Sequence, residues 1–133
     1  AILSYKLDFY DEVIKRRREI ASIYNQNLCE MDELKLPPPP SLDSDHFDVY
    51  QNYELCASDR DNLKEYLKRN GIGTLIQWGG KGIHQWEALS FNLTLPKVEE
   101  FFRNCIMLPI GMHISDADIQ YICNCIKNFY AKN

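Results

Sequence analysis

The chain has 133 residues, 45% of them hydrophobic, and a formal net charge of -4. That length and apolar content bound one compact domain with a single core, and the acidic balance argues against a surface that gathers phosphate backbones, so nucleic acid is not an expected partner. No apolar run approaches the roughly 18 residues that cross a bilayer, and the N-terminus has neither part of a signal peptide, which predicts a soluble, cytoplasmic protein without a membrane partner.

Helical spacing runs through Ile2, Tyr5, Phe9, Val13, Ile20, Ile23 and Leu28 and predicts one long helix over residues 1–30. Lys15 to Arg18 form its one basic cluster, expected to be a solvated face. The apolar pattern starts at Ile2 with no Ser, Thr, Asp or Asn ahead of it to cap the orphan amides, and no initiator methionine is present. Both features predict a chain cut inside or just before a helix that had more protein upstream; methionine removal before Ala1 is the competing explanation.

Pro37 to Pro40 leave the helical state, because proline fixes φ and lacks the amide hydrogen; they predict a stiff linker over 37–40, ahead of an α+β body over 46–133. Phe47 to Ala57 has strand character, with Phe47, Val49, Gln51, Tyr53 and Leu55 on one side. Ser58 with Asp61 has the form of a capping box before a helix over Asp59 to Asn70, which Gly71 ends. Thr74 to Trp78 predicts a second short strand, after which Gly79, Gly80 and Gly82 free the backbone for an irregular loop carrying Lys81 and His84. Pro96 fits the first turn of a helix to about Asn104, and Cys105 to Leu108 a third strand. Ser115 and Asp118 repeat the capping signal before a last helix from Asp116 to Tyr130. The order predicts a single α+β domain over 1–133: a small antiparallel or mixed sheet of about three strands packed against helices.

Five cysteines, Cys29, Cys56, Cys105, Cys123 and Cys125, are odd in number and lack paired ligand spacing, which points to buried thiols rather than disulfides or a metal. Cys123 and Cys125 point roughly 200° apart on a helix and cannot clasp one ion. All five lie on elements whose pattern predicts burial, so none is expected to be a nucleophile. Gly71 and Gly73 lack the third glycine of a dinucleotide fingerprint, and Lys81 is not followed by Ser or Thr as in a phosphate loop. His46 and His113 have weaker claims, each near an element boundary without a polar cluster around it. Gln77, Trp78, Lys81, His84 and Gln85 gather amide, indole, ammonium and imidazole groups in one glycine-rich stretch, a mixture that suits a polar ligand, against the alternative of a surface turn anchored by Trp78.

Several segments carry a resemblance, in order: Ile14 to Ala21 with Tyr24; Tyr50 to Leu55 followed by Arg60, Asp61 and Leu63; Gly71 to Thr74; Gln77 and Trp78 with His84 and Gln85; Leu108 and Pro109 with Ile114 to Asp116. Over nearly the whole chain they resemble the DegT/StrS-type sugar aminotransferase family. The resemblance implies the C-terminal small domain of a fold-type I aminotransferase, in an enzyme of cell-surface polysaccharide biosynthesis. It implies a homodimer that moves an amino group, typically from glutamate, to a keto group of a nucleotide-linked sugar. Pyridoxal phosphate is the implied cofactor of the parent enzyme, serving as electron sink. Its Schiff-base lysine, phosphate-binding groups and acidic partner belong to the family's large domain, which no segment here resembles. The isolated chain is therefore expected to be inactive, with no catalytic, cofactor or metal residue of its own.

The resemblance places Gln77, Trp78, Lys81, His84 and Gln85 in the loop facing the active-site entrance, as substrate-binding residues. Trp78 would stack on a sugar or base, Gln77 and His84 would bond hydroxyls, and Lys81 would meet the diphosphate. Where many members have prolines, this chain has Gly79 to Gly82, which implies its own sugar preference. The rival reading is a stand-alone module that binds a protein or small ligand without catalysis.

Overall fold

The computed structural model describes residues 2–41 and 43–131. Ala1 of the expected first helix and the last two residues of the expected body lie outside them. Five helices surround a three-stranded antiparallel sheet, in the order α1 (Ile2–Leu7), α2 (Tyr10–Leu28), β1 (Leu34–Lys35), β2 (Tyr53–Ala57), α3 (Arg60–Arg69), α4 (Pro96–Asn104), β3 (Cys105–Leu108) and α5 (Asp116–Tyr130). The α+β expectation is met, and β2 is the central strand, with Leu34 opposite Ala57 and Tyr53 opposite Leu108. No helix among the described residues is long and apolar enough to cross a membrane.

Alternation along β2 decides the layers. Tyr53, Leu55 and Ala57 are buried in a core shared with Ile20, Tyr24 and Leu28 of α2, Leu63 and Leu67 of α3, and Ile119, Cys123 and Ile126 of α5. Glu54 and Cys56 point the other way, and Cys56 lines a cleft with Lys97 and Glu100 of α4. The apolar faces of β2, α2, α3 and α5 thus share one core.

Local signals hold where expected at both ends of the body. Ser115 Oγ accepts from the Asp118 amide at 3.2 Å, and Asp118 Oδ2 accepts from the Ser115 amide at 3.0 Å, a reciprocal cap on α5. Gly71, at φ 76°, ends α3 with its amide donating to Lys68 O and the Ile72 amide to Leu67 O, as a left-handed helix terminus requires.

Five expectations are corrected. The first helix is interrupted: Phe9 sits at φ -112° and ψ 10°, and no residue of α1 is buried, so the core does not hold the two segments in one line. The strand expected from Phe47 begins only at Tyr53, because Tyr50 adopts φ 48° and its amide turns back onto Asp48 Oδ1 at 2.7 Å. The basic cluster is not a plain solvated face: only Lys15 is exposed, and Arg16, Arg17 and Arg18 are half-buried. Arg16 donates to Ile114 O at 2.7 Å and pairs with Asp116 at 2.8 Å; Arg17 donates to the carbonyls of Tyr50 and Gln51; Arg18 donates to those of Asp48 and Ser41 and lies over the Phe47 ring. Asp48, Tyr50 and Gln51 lie in the irregular stretch before β2, and Ser41 and Ile114 in other connections, so no ladder partner takes these carbonyls. Ser58 does not cap α3; its amide donates to Glu33 O beyond β1, and Asp59, at φ 55°, is the cap residue. Nor are all cysteines buried, since Cys29 is exposed and Cys56 half-buried.

Candidate functional site

The strand expected over Thr74 to Trp78 is also reduced. Only Leu75 pairs, exchanging two backbone bonds with Met107 on the free edge of β3. Trp78 then turns to φ 52°, followed by Gly79 at φ 65° and Gly80 at φ 74°, which lifts the chain off the sheet edge. At Gly80 a side chain would stand 3.2 Å from Phe102 O of α4, so the loop is pressed against that helix. Two further single turns, Ile83–Gln85 and Glu87–Leu89, lead to α4.

Between these turns and α4 lies a groove of about 540 Å³. Its walls are apolar: Trp78, Ile83, Trp86 and Leu89 from the loop, with Val98 and Phe102 from α4, and Lys81 and His84 supply its polar groups. Trp78 is 67% exposed and Lys81 is exposed, so both are free to meet a ligand. This pairing of flat indoles with one mobile cation suits an anionic ligand carrying a flat ring or a sugar.

The other three expected site residues are engaged within the chain. Gln77 is half-buried; in the amide orientation that satisfies both neighbours, its nitrogen donates to Glu54 Oε2 at 3.3 Å and its oxygen accepts from Trp78 Nε1 at 3.1 Å. It links β2 to the indole. Gln85 Oε1 accepts from the Gly82 amide at 2.9 Å and closes a turn. His84 is 6% exposed, its Nε2 lies 3.1 Å from Glu99 Oε1, and its Nδ1 is buried without a partner. The structure thus brings Trp78, Lys81 and His84 to one groove and leaves Gln77 and Gln85 behind it.

Sequence reasoning passed over Trp86, Glu54 and Glu99. Trp86 was legible as the next aromatic in the same stretch. Glu99 carried only the signal of an acid in the first turn of a helix. Its carboxyl is held below the usual carboxylate range, first by the Leu95 amide and then by His84. On β2, Glu54 raises the neighbouring Cys105 thiol, which burial chiefly pushes up to about 11. Of the two weaker histidine candidates, His46 pairs with Asp43 at 3.0 Å on the surface, and His113 lies near Gly111 and Ile114, away from the groove.

Gly82 is essential to this packing for space rather than for dihedral reasons. A side chain there would stand 2.8 Å from His84 Cε1 and 3.0 Å from Val98 Cγ1. Gly82→Ala is therefore expected to push the imidazole out and cost about 1–3 kcal/mol, measurable as a lower urea midpoint. A midpoint equal to that of the unaltered chain would show that the ring is not wedged there.

Comparison with known proteins gives concordant results. The profile of the DegT/DnrJ/EryC1/StrS aminotransferase family matches residues 1–127. A pleiotropic regulatory protein of Geobacillus stearothermophilus is 28% identical over 98% of this chain and 36% of its own length. A dTDP-4-dehydro-2,3,6-trideoxy-D-glucose 4-aminotransferase of Saccharopolyspora spinosa is 27% identical over 93% of this chain and 32% of its own. Among solved structures, an aminotransferase from Streptoalloteichus hindustanus superposes with a TM-score of 0.88 at 28% identity, covering 97% of this chain and 35% of that one. The chain thus spans about a third of the length of the relatives it matches.

Proposed function

Because the chain belongs to the DegT/DnrJ/EryC1/StrS aminotransferase family, we propose that it is the C-terminal small domain of a cytoplasmic, homodimeric enzyme that transfers an amino group, with glutamate as donor, to a keto group of a nucleotide-linked sugar. The observation that carries this reading to particular residues is the groove between the Gln77–Leu89 turns and α4, with an exposed indole and an exposed ammonium on its rim. Its apolar walls would exclude water from a sugar or base face. Trp78 would stack on that face, and Lys81 would neutralise a diphosphate oxygen.

The described residues do not themselves fit pyridoxal phosphate. Every described lysine is exposed or half-buried, so none is desolvated as a Schiff-base lysine requires. In this reading the cofactor, which supplies the electron sink, is held by other residues of the parent enzyme, and this domain binds and orients the sugar nucleotide. The chain alone would then be inactive, and borohydride reduction after mixing with pyridoxal phosphate would trap no stoichiometric adduct at one lysine.

The decisive experiment separates the two half-reactions in the intact parent enzyme. Trp78→Ala and Lys81→Ala are each expected to weaken use of the sugar nucleotide about tenfold, while the half-reaction with the amino donor and the cofactor spectrum stay unchanged. Equal losses in both halves, or no loss in either, would remove the groove from substrate binding.

A further inference from the structure

We propose that His84 and Glu99 form a positioning latch that holds the groove in shape, acting on a ligand only through the residues they place. Among residues 77–95 only Gly82 and His84 are buried, so His84 contributes the one buried side chain of that segment. Its imidazole is 3% exposed and ends on Glu99, which is only 24% exposed, at 3.1 Å.

The same oxygen, Glu99 Oε1, also accepts from the Leu95 amide at 2.9 Å. A single carboxylate oxygen thus ties the middle of the loop and its end to the first turn of α4. Gly82 makes the arrangement possible, since any side chain there would occupy the space of the ring. Gln85, by closing the turn onto the Gly82 amide, holds the backbone on either side of His84. The residues hung from this point, Lys81, Ile83 and Trp86, line the groove. Without the latch the segment has no other buried side chain to return it to α4, and the groove loses its loop wall. Hydrogen bonds to a charged group are strong enough to hold such a segment closed, and losing one partner leaves the other desolvated.

Both tryptophans of the chain, Trp78 and Trp86, flank His84, so intrinsic tryptophan fluorescence reports on this segment alone. Trp78 and Trp86 are already 67% and 47% exposed, so acrylamide quenching is expected to rise about 1.5-fold in His84→Ala and in Glu99→Ala, with far-ultraviolet circular dichroism unchanged. The conservative His84→Gln, which keeps a donor at about the reach of Nε2, and Glu99→Gln, which keeps an acceptor, should remain close to the unaltered chain. In the double alanine variant quenching should rise no further, because the two residues act as one unit. Additive effects, or unchanged quenching in both alanine variants, would overturn the latch. If His84→Ala loses its helical signal, Glu99→Ala and its rescue by Gln decide the matter.

The positioning role further rests on the aminotransferase reading. In the parent enzyme both alanine variants are expected to raise KM for the sugar nucleotide about tenfold with kcat little changed and the amino-donor half-reaction intact. Raised quenching with unchanged KM would overturn the positioning role. A parent enzyme that turns over no nucleotide sugar would overturn the functional reading, while the quenching experiment would still decide the latch.

Discussion

Truncating Tyr24 to alanine is expected to cost about 3–5 kcal/mol of stability, the range for deleting a large aromatic from a core, and to leave a substantial unfolded population in a domain whose total stability is about 5–15 kcal/mol. Tyr24 is fully buried on α2 and joins three parts of the fold. Its ring lies 4.8 Å from that of Tyr53 on β2, and its hydroxyl donates to Pro109 O at 2.8 Å, just past β3. Asn25, next on the helix, donates to the Tyr53 hydroxyl at 3.1 Å and fixes the second ring. Tyr24→Phe keeps the packing and strands only the Pro109 carbonyl, so about 1–2 kcal/mol is expected. Urea unfolding of the two variants provides the check. Equal losses would mean that the hydroxyl bond, rather than the buried ring, carries the contribution.

Alkali is expected to unfold the chain cooperatively, with stability falling from about pH 9 upward and steeply above about pH 10. Burial pushes the Cys123 thiol up to about 11 and the Tyr24 and Tyr53 phenols far above their ordinary range, and Tyr130 shifts the same way. These groups are neutral when protonated, and their folded pKa values exceed the unfolded ones. Their contribution is therefore fully present below the unfolded pKa and is lost as pH rises toward the folded one, because the unfolded chain releases protons that the native chain retains. Tyr24 and Tyr53 are both fully buried, and each removes about 1.4 kcal/mol per pH unit in that window, so together they account for roughly 3 kcal/mol per unit. Tyrosinate absorbance and helical circular dichroism should change together in the main step. Tyrosinate that forms fully while the helices persist would show that the phenols titrate without unfolding.

What was legible in the sequence is what neighbouring residues decide among themselves. Ser115 with Asp118, Gly71 after Asn70, and Pro96 at a helix start all act within one turn of chain, and each element end stands where its signal placed it. What failed depended on a distant partner. Phe47 to Asn52 alternates like a strand, yet its carbonyls go to arginines some thirty residues upstream, as with Arg18 and Asp48 at a separation of 30. Leu75 belongs to an extended stretch, but Trp78 and the glycines turn the chain away before a second pair forms. The candidate loop divides in the same way. Its residue types marked it as polar and mobile in backbone, but Glu54 and Glu99, which occupy Gln77 and His84, carry no sign in the sequence of where they will reach.

The three arginines of α2 grip main-chain oxygens, and that gives the contact an unequal pattern of inheritance. A carbonyl is present at every residue, so Ser41 and Gln51 can drift in identity as the gene diverges without loosening the grip, provided the backbone keeps its course. The donors have no such freedom. Lysine lacks the planar fork with which Arg18 reaches two carbonyls from its two terminal nitrogens, and even this mild exchange would release one of them. Divergence along this seam is therefore permitted on the loop and resisted on the helix, which lets the segment beside α2 change its surface from one descendant to the next while its path stays fixed.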